Sequence, residues 1–191
     1  YNGELKIAVV GKYFSTGDFT LADSYLSVIE AIKYSAYTSG KKPVLTWISS
    51  IDFEKDPKTI KNLSQYDGII VPGGFGSRGI EGILMAVEYA RKHKIPYFGL
   101  CYGMQMMIIE YARNVLGLKD ANTREVNPNS KAIVIDVMDD QKEKIEKKNM
   151  GGSMRLGAYP ADIKKGTIAG NAYKTSVISE RHRHRYEVSN E

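Results

Sequence analysis

The stretch IPYFGLCYGMQMMIIEYA (residues 95–112) joins an extended apolar run to a long helical pattern through the turn Gly-Leu-Cys-Tyr-Gly. The turn holds the only cysteine of the chain, Cys101, between Gly99 and Gly103. A strand, a sharp turn and a helix form the local plan of a nucleophile elbow, here with sulfur in place of the serine oxygen. Such a strained turn needs close neighbours without a Cβ, and a helix N-terminus below the thiolate lowers the pKa of a cysteine. The pattern predicts a nucleophilic Cys101, against the alternative of a buried, inert cysteine.

Apolar runs alternate with helical patterns on both sides of this turn. Strands are expected over residues 5–11, 43–48, 67–71 and 95–100, and helices over residues 19–38, 80–93 and 102–116. Strands that alternate with helices of about a dozen residues predict an α/β fold, a doubly wound and mostly parallel sheet with helices on both faces. After residue 118 shorter strands are expected over residues 131–138, 153–163 and 175–179, which indicates a smaller antiparallel C-terminal part.

Composition narrows the class of protein. The chain has 191 residues, 42% of them apolar and 26% charged, which suits one globular domain. It has no run of about 18 apolar residues that could span a membrane, and a single cysteine fits a reducing cytoplasm. The net charge is only +5, with basic residues gathered in RKHK (residues 91–94) and RHRHR (residues 181–185). We therefore predict a cytoplasmic protein that binds neither membranes nor nucleic acid.

A glycine-rich stretch, VPGGFGSRG (residues 71–79), follows the third expected strand. It contains the spacing G-x-G-x-x-G, but that dinucleotide motif belongs after the first strand and needs an acidic residue about 20 positions later, which is lacking here. In elbow enzymes the oxyanion hole combines the N–H after the nucleophile with one from the loop after the third strand. We therefore expect oxyanion donors at Tyr102 and at Gly73 or Gly74.

The histidines are the remaining candidates for chemistry. His182 and His184, in ERHRHRYE (residues 180–187), share one face of a strand-like segment. Two histidines without a third ligand make a poor zinc site, so no metal is predicted. Either one could be the base for Cys101, whereas His93 is expected at the surface.

Five segments, spread over nearly the whole length of the chain, together suggest a family. They are GKYFSTGDFTLADSYLSVIEAI (residues 11–32), VPGGFGSRGIEG (71–82), PYFGLCYGMQ (96–105), GGSMRLGAYPA (151–161) and ERHRHRYEVSN (180–190). In this order they resemble the glutamine amidotransferase domain of CTP synthases. The G-L-C-Y-G-M-Q segment is typical of class I amidotransferases in general, whereas MRLGAYP and RHRHRYEV are more particular to CTP synthases.

The resemblance implies a reaction and a set of site residues. A cysteine thiolate attacks the side-chain amide of glutamine, forms a glutamyl thioester and releases ammonia, which a separate synthetase domain uses with ATP to aminate UTP. By motif, Cys101 would be the nucleophile, and Gly73, Gly74 and Tyr102 would form the oxyanion hole. Glutamine would be bound by residues of several motifs: Phe75, Gln105, Glu125, Arg185 and Tyr186. Arg78 would take part in activation by GTP.

The resemblance also implies partners. The domain itself would need no cofactor, while the complete enzyme would use ATP, Mg²⁺ and the activator GTP. The synthetase domain would belong to the same polypeptide, and the complete enzyme would form a homo-oligomer, a tetramer.

The sequence departs from the family pattern at three points. The family segment close to ANSTEF reads ANTREV here (residues 121–126), so Glu125 keeps its place next to an unusual Arg124. An upstream synthetase domain and the His-Pro-Glu motif of the family's catalytic base are both missing from the 191 residues. We therefore expect residues 1–191 to form a single glutaminase domain without its C-terminal segment, inactive on its own.

Two other functions fit parts of the same pattern. The first is a stand-alone cysteine amidohydrolase, such as a γ-glutamyl peptidase, on the same fold. The second is a non-catalytic regulatory module that has lost its triad. A preference for glutamine over other amides would separate the first from a CTP synthase domain, and reactivity of Cys101 towards glutamine analogues would exclude the second.

Overall fold

The structure is a computed structural model that describes residues 1–12, 15–16, 19–20, 25–138 and 155–189. Its strands are β1 (Glu4–Gly11), β2 (Ser15–Thr16), β3 (Phe19–Thr20), β4 (Lys42–Ser49), β5 (Gly68–Val71), β6 (Tyr97–Gly99), β7 (Ala121–Thr123), β8 (Ala132–Val137), β9 (Arg155–Asp162), β10 (Val177–His184) and β11 (Tyr186–Val188). Its helices are α1 (Leu26–Thr38), α2 (Ser50–Lys55), a 3₁₀ helix (Pro57–Gln65), α3 (Ile80–His93), α4 (Tyr102–Asn114) and α5 (Ile168–Tyr173). The chain divides into two compact units, residues 1–135 with 188–191, and residues 136–187.

The first unit is built on a parallel sheet with the strand order β4-β1-β5-β6. The central strand β1 is covered on both faces, and Ala8, Val9 and Val10 are fully buried. Burial on both faces explains why β1 is a continuous apolar run rather than an alternating one. The expected α/β fold with a mostly parallel sheet is confirmed.

The strand order reverses direction at β1. The chain moves from β1 to β4 on one side and then returns to β5 and β6 on the other. Because crossovers between parallel strands are right-handed, α1 lies on one face of the sheet and α3 on the opposite face. The carboxyl ends of β1 and β5 therefore flank a topological switch point, which is where open α/β sheets bind ligands.

The helix predictions fared unequally. The predicted bounds of α3 are those observed, and α4 ends at Asn114, two residues before its predicted end. The first helix was predicted too long, since it begins at Leu26 and not at residue 19. Phe19–Thr20 instead pairs antiparallel with Ser15–Thr16, which gives this segment's backbone another set of hydrogen-bond partners. Residues 21–24 lie outside the described part of the chain.

Periodicity did not predict α2, the 3₁₀ helix, β7 or α5. Helix α2 has six residues and the 3₁₀ helix has nine, too few for a helical repeat to stand out. The 3₁₀ helix begins instead by local chemistry. Pro57 occupies its first turn, and the Asp56 carboxylate accepts a hydrogen bond from the backbone N–H of Lys58.

The C-terminal part contains the expected antiparallel pairing. Strands β9 and β10 pair from Arg155 opposite His184 to Asp162 opposite Val177. Strand β10 is longer than predicted because it takes in the RHRH segment. β7 and β8 pair in parallel within a three-stranded sheet of order β11-β8-β7. Among the described residues, no helix has the length and apolar character needed to cross a lipid bilayer.

Candidate active site

Cys101 occupies a strained elbow between β6 and α4. Its backbone has φ 50° and ψ −99°, a region that L-residues rarely adopt, and it is the residue from which α4 starts. A Cβ added at Gly99 would lie 2.4 Å from the carbonyl carbon of Gly103, and one added at Gly103 would lie 2.2 Å from the carbonyl oxygen of Val71. The two glycines of the motif are therefore required by close backbone contact, as the elbow pattern predicted.

Gly103→Ala is expected to lower the free energy of unfolding by about 2–4 kcal/mol. In an open helix the same change would stabilise the protein by about 1 kcal/mol, but here the new Cβ would collide with the backbone of β5. Urea denaturation measures the difference. Gly117→Ala is the matched control, because Gly117 has φ 76° with no atom within 4 Å of a new Cβ, so only backbone strain of about 1 kcal/mol is expected. Equal losses in the two variants would contradict the close packing of the elbow.

The electrostatics at the thiol differ from the sequence-based expectation. Cys101 is exposed as a residue, yet desolvation of the thiol raises its pKa, and the negative charge of Glu125 raises the pKa further. A hydrogen bond from the backbone of Tyr102 acts in the opposite direction and lowers the pKa. The prediction that the helix N-terminus gives a lowered pKa is therefore wrong for this structure, because desolvation outweighs the stabilising N–H.

The glycine loop (residues 72–79) follows β5 and runs beside the elbow. A Cβ at Gly73 would lie 3.7 Å from the Cβ of Cys101, and one at Gly74 would lie 3.7 Å from both the ring of Tyr102 and Cε of Lys12. The structure thus brings the predicted nucleophile and the predicted oxyanion donors together. Their roles in stabilising an oxyanion stay predictions.

Both polar groups of Gly76 in this loop are bound by side chains. Its carbonyl oxygen accepts hydrogen bonds from Nζ of Lys12 at 2.6 Å and from the hydroxyl of Tyr102 at 2.5 Å. Its N–H donates to Oε1 of Glu125 at 2.9 Å. Lys12 follows β1, Tyr102 begins α4 and Glu125 follows β7, so three separate elements meet at one residue of the loop.

Lys12 is the site residue that the sequence analysis missed. Its residue is only 7% exposed, and its Nζ lies 4.2 Å from the centre of the Tyr102 ring and 3.1 Å from the Tyr102 hydroxyl. Burial lowers the pKa of Lys12 to about 8, although the charges of Glu125 and Glu54 oppose this change. The available signal was a lysine placed directly after a buried first strand, at the switch point of the sheet.

Two residues of the first unit that are predicted to bind glutamine, Gln105 and Glu125, lie near the elbow. Gln105 is buried one helical turn after Cys101, and its backbone N–H donates to the Cys101 carbonyl at 3.1 Å. Glu125 is half-buried and acts electrostatically on both Cys101 and Lys12.

Three further residues of this unit are exposed: Phe75, Arg78 and Arg124. Phe75 and Arg78 belong to the glycine loop, and their roles in binding glutamine and GTP stay predictions. The unusual Arg124 donates from Nη1 to the carbonyl of Pro128 at 3.3 Å, within its own loop.

Arg185 and Tyr186 belong to the second unit, so their predicted contacts with glutamine stay predictions. In the same unit, Nδ1 of His182 lies 2.8 Å from Nε2 of His184, and Nδ1 of His184 lies 3.0 Å from the Tyr186 carbonyl oxygen. Burial lowers the pKa of His182, and the charges of Arg155 and His184 lower it further. Whether either histidine serves Cys101 also stays a prediction. His93 is exposed, as expected. In the described ranges, no three His, Cys, Asp or Glu side chains are grouped in a way that could hold a metal ion.

Comparison with known proteins gives consistent relatives. The family model "Glutamine amidotransferase class-I" matches residues 20–191. The chain is 51% identical over 188 residues to a CTP synthase of Sulfolobus acidocaldarius and 46% identical over 187 residues to one of Methanococcoides burtonii, in each case over 98% of this chain and 34% of the relative. The chain thus spans about a third of the length of these curated relatives.

A solved structure is also similar. The glutaminase domain of Trypanosoma brucei CTPS with bound acivicin superimposes with a TM-score of 0.84 at 38% sequence identity. The match covers 96% of this chain and 68% of that chain. The agreement therefore extends over almost the whole of this chain.

Proposed function

Because the chain belongs to the class-I glutamine amidotransferase family, as a glutaminase domain of the CTP synthase kind, we propose that, as part of the complete protein, it hydrolyses glutamine at Cys101 and supplies the ammonia that aminates UTP to CTP. The observation that carries this proposal is the strained Cys101 elbow with the glycine loop alongside it. We further propose that residues 1–191 belong to one glutaminase domain.

In the proposed reaction, the Cys101 thiolate attacks the side-chain carbonyl carbon of glutamine. The carbon–nitrogen bond breaks as the nitrogen takes up a proton and leaves as ammonia, and a glutamyl thioester remains. Water then cleaves the thioester, which yields glutamate and the free thiol. The N–H groups of Tyr102 and of Gly73 or Gly74 stabilise the negative oxygen of each tetrahedral intermediate.

The proposed glutamine contacts suit a zwitterion. Glu125 faces the substrate's ammonium group and Arg185 its carboxylate, since charge-assisted hydrogen bonds of this kind are strong and directional. Gln105, Phe75 and Tyr186 complete the proposed contact set. Arg78 takes part in activation by GTP.

For the complete protein, we propose ATP and Mg²⁺ as requirements of a synthetase domain on the same polypeptide. We also propose a homo-oligomer and a cytoplasmic location. The glutaminase domain itself is proposed to need no metal.

Covalent labelling tests the proposal. In the complete protein, a chloroketone analogue of glutamine should alkylate Cys101, glutamine should protect the thiol, and peptide mass spectrometry should locate the adduct. The unlabelled control is Cys101→Ala. Faster turnover of γ-glutamyl peptides than of glutamine would favour a peptidase, and a protein that neither labels nor releases ammonia from glutamine would reject a catalytic function altogether.

A further inference from the structure

We propose that Lys12 is a positioning residue of the glutaminase reaction, one that holds the glycine loop (residues 72–79) against the Cys101 elbow by binding the carbonyl of Gly76. The inference deepens the proposed function and rests on it. Lys12 has no part in the family motif at the nucleophile, and its position follows β1 rather than β5 or β6. Its role follows from the hydrogen bonds around Gly76.

The Gly76 brace, defined as Lys12, Tyr102, Glu125 and the Gly76 peptide groups they bind, fixes the loop from both sides. Lys12 and the Tyr102 hydroxyl hold the carbonyl at 2.6 and 2.5 Å, and Glu125 holds the N–H at 2.9 Å. Gly76 itself has φ 77°, so the loop makes a left-handed turn at the residue that the brace holds. A loop without regular hydrogen bonding depends on such contacts for a single conformation.

The ammonium of Lys12 is the most unusual member of the brace. The residue is 7% exposed, and burial of an ammonium is costly unless hydrogen bonds compensate for the lost hydration. An apolar side chain of similar length would avoid this cost. A charged donor, however, binds a carbonyl oxygen more strongly than a neutral donor does, and the ammonium also gains a cation–π interaction with the face of the Tyr102 ring at 4.2 Å.

Tyr102 connects the brace to the chemistry. Its hydroxyl binds Gly76, while its backbone hydrogen-bonds at the thiol of Cys101. Displacement of the Gly76 carbonyl would therefore disturb the position of the loop relative to the nucleophile. Oxyanion donors must be placed accurately, and the loss of one costs about 10²–10³-fold in kcat. Lys12 touches neither the proposed substrate nor the thiol in this scheme, so it acts through the loop.

The charge of Lys12 gives the brace a pH dependence. The groups that face Lys12 are Glu125 from the loop after β7, Glu54 from α2 and Tyr102 from α4. Burial lowers the pKa of Lys12 to about 8, whereas the two carboxylates raise it. The ammonium is therefore present below about pH 8 and is lost above it. Since the neutral amine is the weaker donor, the brace weakens as the pH rises through this range.

Lys12→Met and Lys12→Arg in the complete protein test the inference through kcat and its pH profile. Lys12→Met should lower kcat for glutamine hydrolysis by about 10–100-fold, with a smaller change in KM, because the loop serves the transition state. Lys12→Arg should recover at least about a tenth of the wild-type kcat and should lack the fall in rate above pH 8, since a guanidinium does not titrate there. A Lys12→Met enzyme with wild-type kcat, or the same alkaline fall in Lys12→Arg, would overturn the inference.

Hydrogen exchange separates this inference from the proposed function. The Gly76 amide, which is hydrogen-bonded to Glu125, should exchange at least about tenfold faster in Lys12→Met, while amides of α1 should be unchanged. If the wild-type protein releases no ammonia from glutamine but loop exchange is still faster in Lys12→Met, the proposed function is rejected and the structural role of Lys12 is supported. If wild type is active and neither exchange nor kcat changes, the brace alone fails.

A variant with a smaller structural change tests the same contact in case Lys12→Met is globally destabilised. Tyr102→Phe removes only the hydroxyl, which donates to the Gly76 carbonyl and accepts from Nζ of Lys12. Its loop amides should also exchange faster, and its kcat should fall by about tenfold, which corresponds to a net loss of about 1.4 kcal/mol for the two hydrogen bonds. Unchanged exchange in Tyr102→Phe, with α1 amides accelerated in Lys12→Met, would mean that Lys12 serves only general stability.

Discussion

Cys101→Ala is expected to abolish glutamine-dependent ammonia release, by at least about 10⁴-fold, because no other group of the site can form the proposed thioester. Ammonia supplied directly should still be converted to CTP by the complete enzyme at close to the wild-type rate, since that reaction would bypass the elbow. The two activities are measured by following CTP formation with glutamine or with ammonium chloride as the nitrogen source.

Cys101→Gly is the informative companion to this variant. It also removes the sulfur, but it relieves the backbone strain at φ 50°, so its free energy of unfolding should exceed that of Cys101→Ala by about 1–2 kcal/mol. Both variants should be equally inactive with glutamine. Loss of the ammonia-dependent activity in both would identify Cys101 as a structural residue, and retained glutaminase activity would exclude it as the nucleophile.

The elbow shows how far sequence reasoning reaches. The order strand, turn, helix and the need for Gly99, whose added Cβ would meet the backbone of Gly103, follow from local sterics that can be deduced from a pentapeptide. Gly103 is required by the backbone of β5, a contact that only the folded structure shows. The pKa of the Cys101 thiol cannot be deduced in this way, because it depends on how much protein surrounds the sulfur. Desolvation proved larger than the contribution of the helix N-terminus.

The same contrast separates the glycine loop from Lys12. Glycines after the third strand carry their own signal, and their position beside the nucleophile follows from parallel strands that end at one edge of the sheet. Lys12 carries no such signal, since a lone lysine is usually solvated. Its importance arises from strand order, which places β1 next to β5 and so brings residues 64 positions apart into contact.

The error at the start of α1 has a different cause. Apolar residues at helical spacing continued upstream of Leu26, and periodicity alone favoured a helix there. Pairing of β2 with β3 is a short hairpin, a local alternative that helical periodicity does not reveal. Residues Arg185 and Tyr186 show the remaining limit, because a motif assigns them a role without fixing their place in space.

Glu125→Gln is expected to speed the alkylation of Cys101 and to weaken the binding of glutamine. The negative charge of Glu125 raises the pKa of the thiol, so its removal lowers that pKa and increases the thiolate fraction at pH 7.5. Alkylation of Cys101 by neutral iodoacetamide should therefore become faster. Glutamine should meanwhile bind more weakly, because its ammonium group loses the proposed carboxylate partner. A loss of 1.5–3 kcal/mol raises KM by about 10–150-fold.

Glu125→Gln changes the charge alone, because the side-chain amide oxygen introduced at position 125 can still accept the hydrogen bond from the Gly76 N–H. The hydrogen bond that holds the loop is therefore retained. Arg124→Ser is the matched control. Arg124 is the exposed neighbour of Glu125 and donates to the Pro128 carbonyl. In Arg124→Ser, the alkylation rate of Cys101 and the KM for glutamine should therefore stay within about twofold of wild type. Faster alkylation with an unchanged KM would remove Glu125 from the glutamine contacts. Slower alkylation together with weaker glutamine binding would show that Glu125 acts through the position of the glycine loop. A purely electrostatic role requires the thiol to gain reactivity when the carboxylate is neutralised.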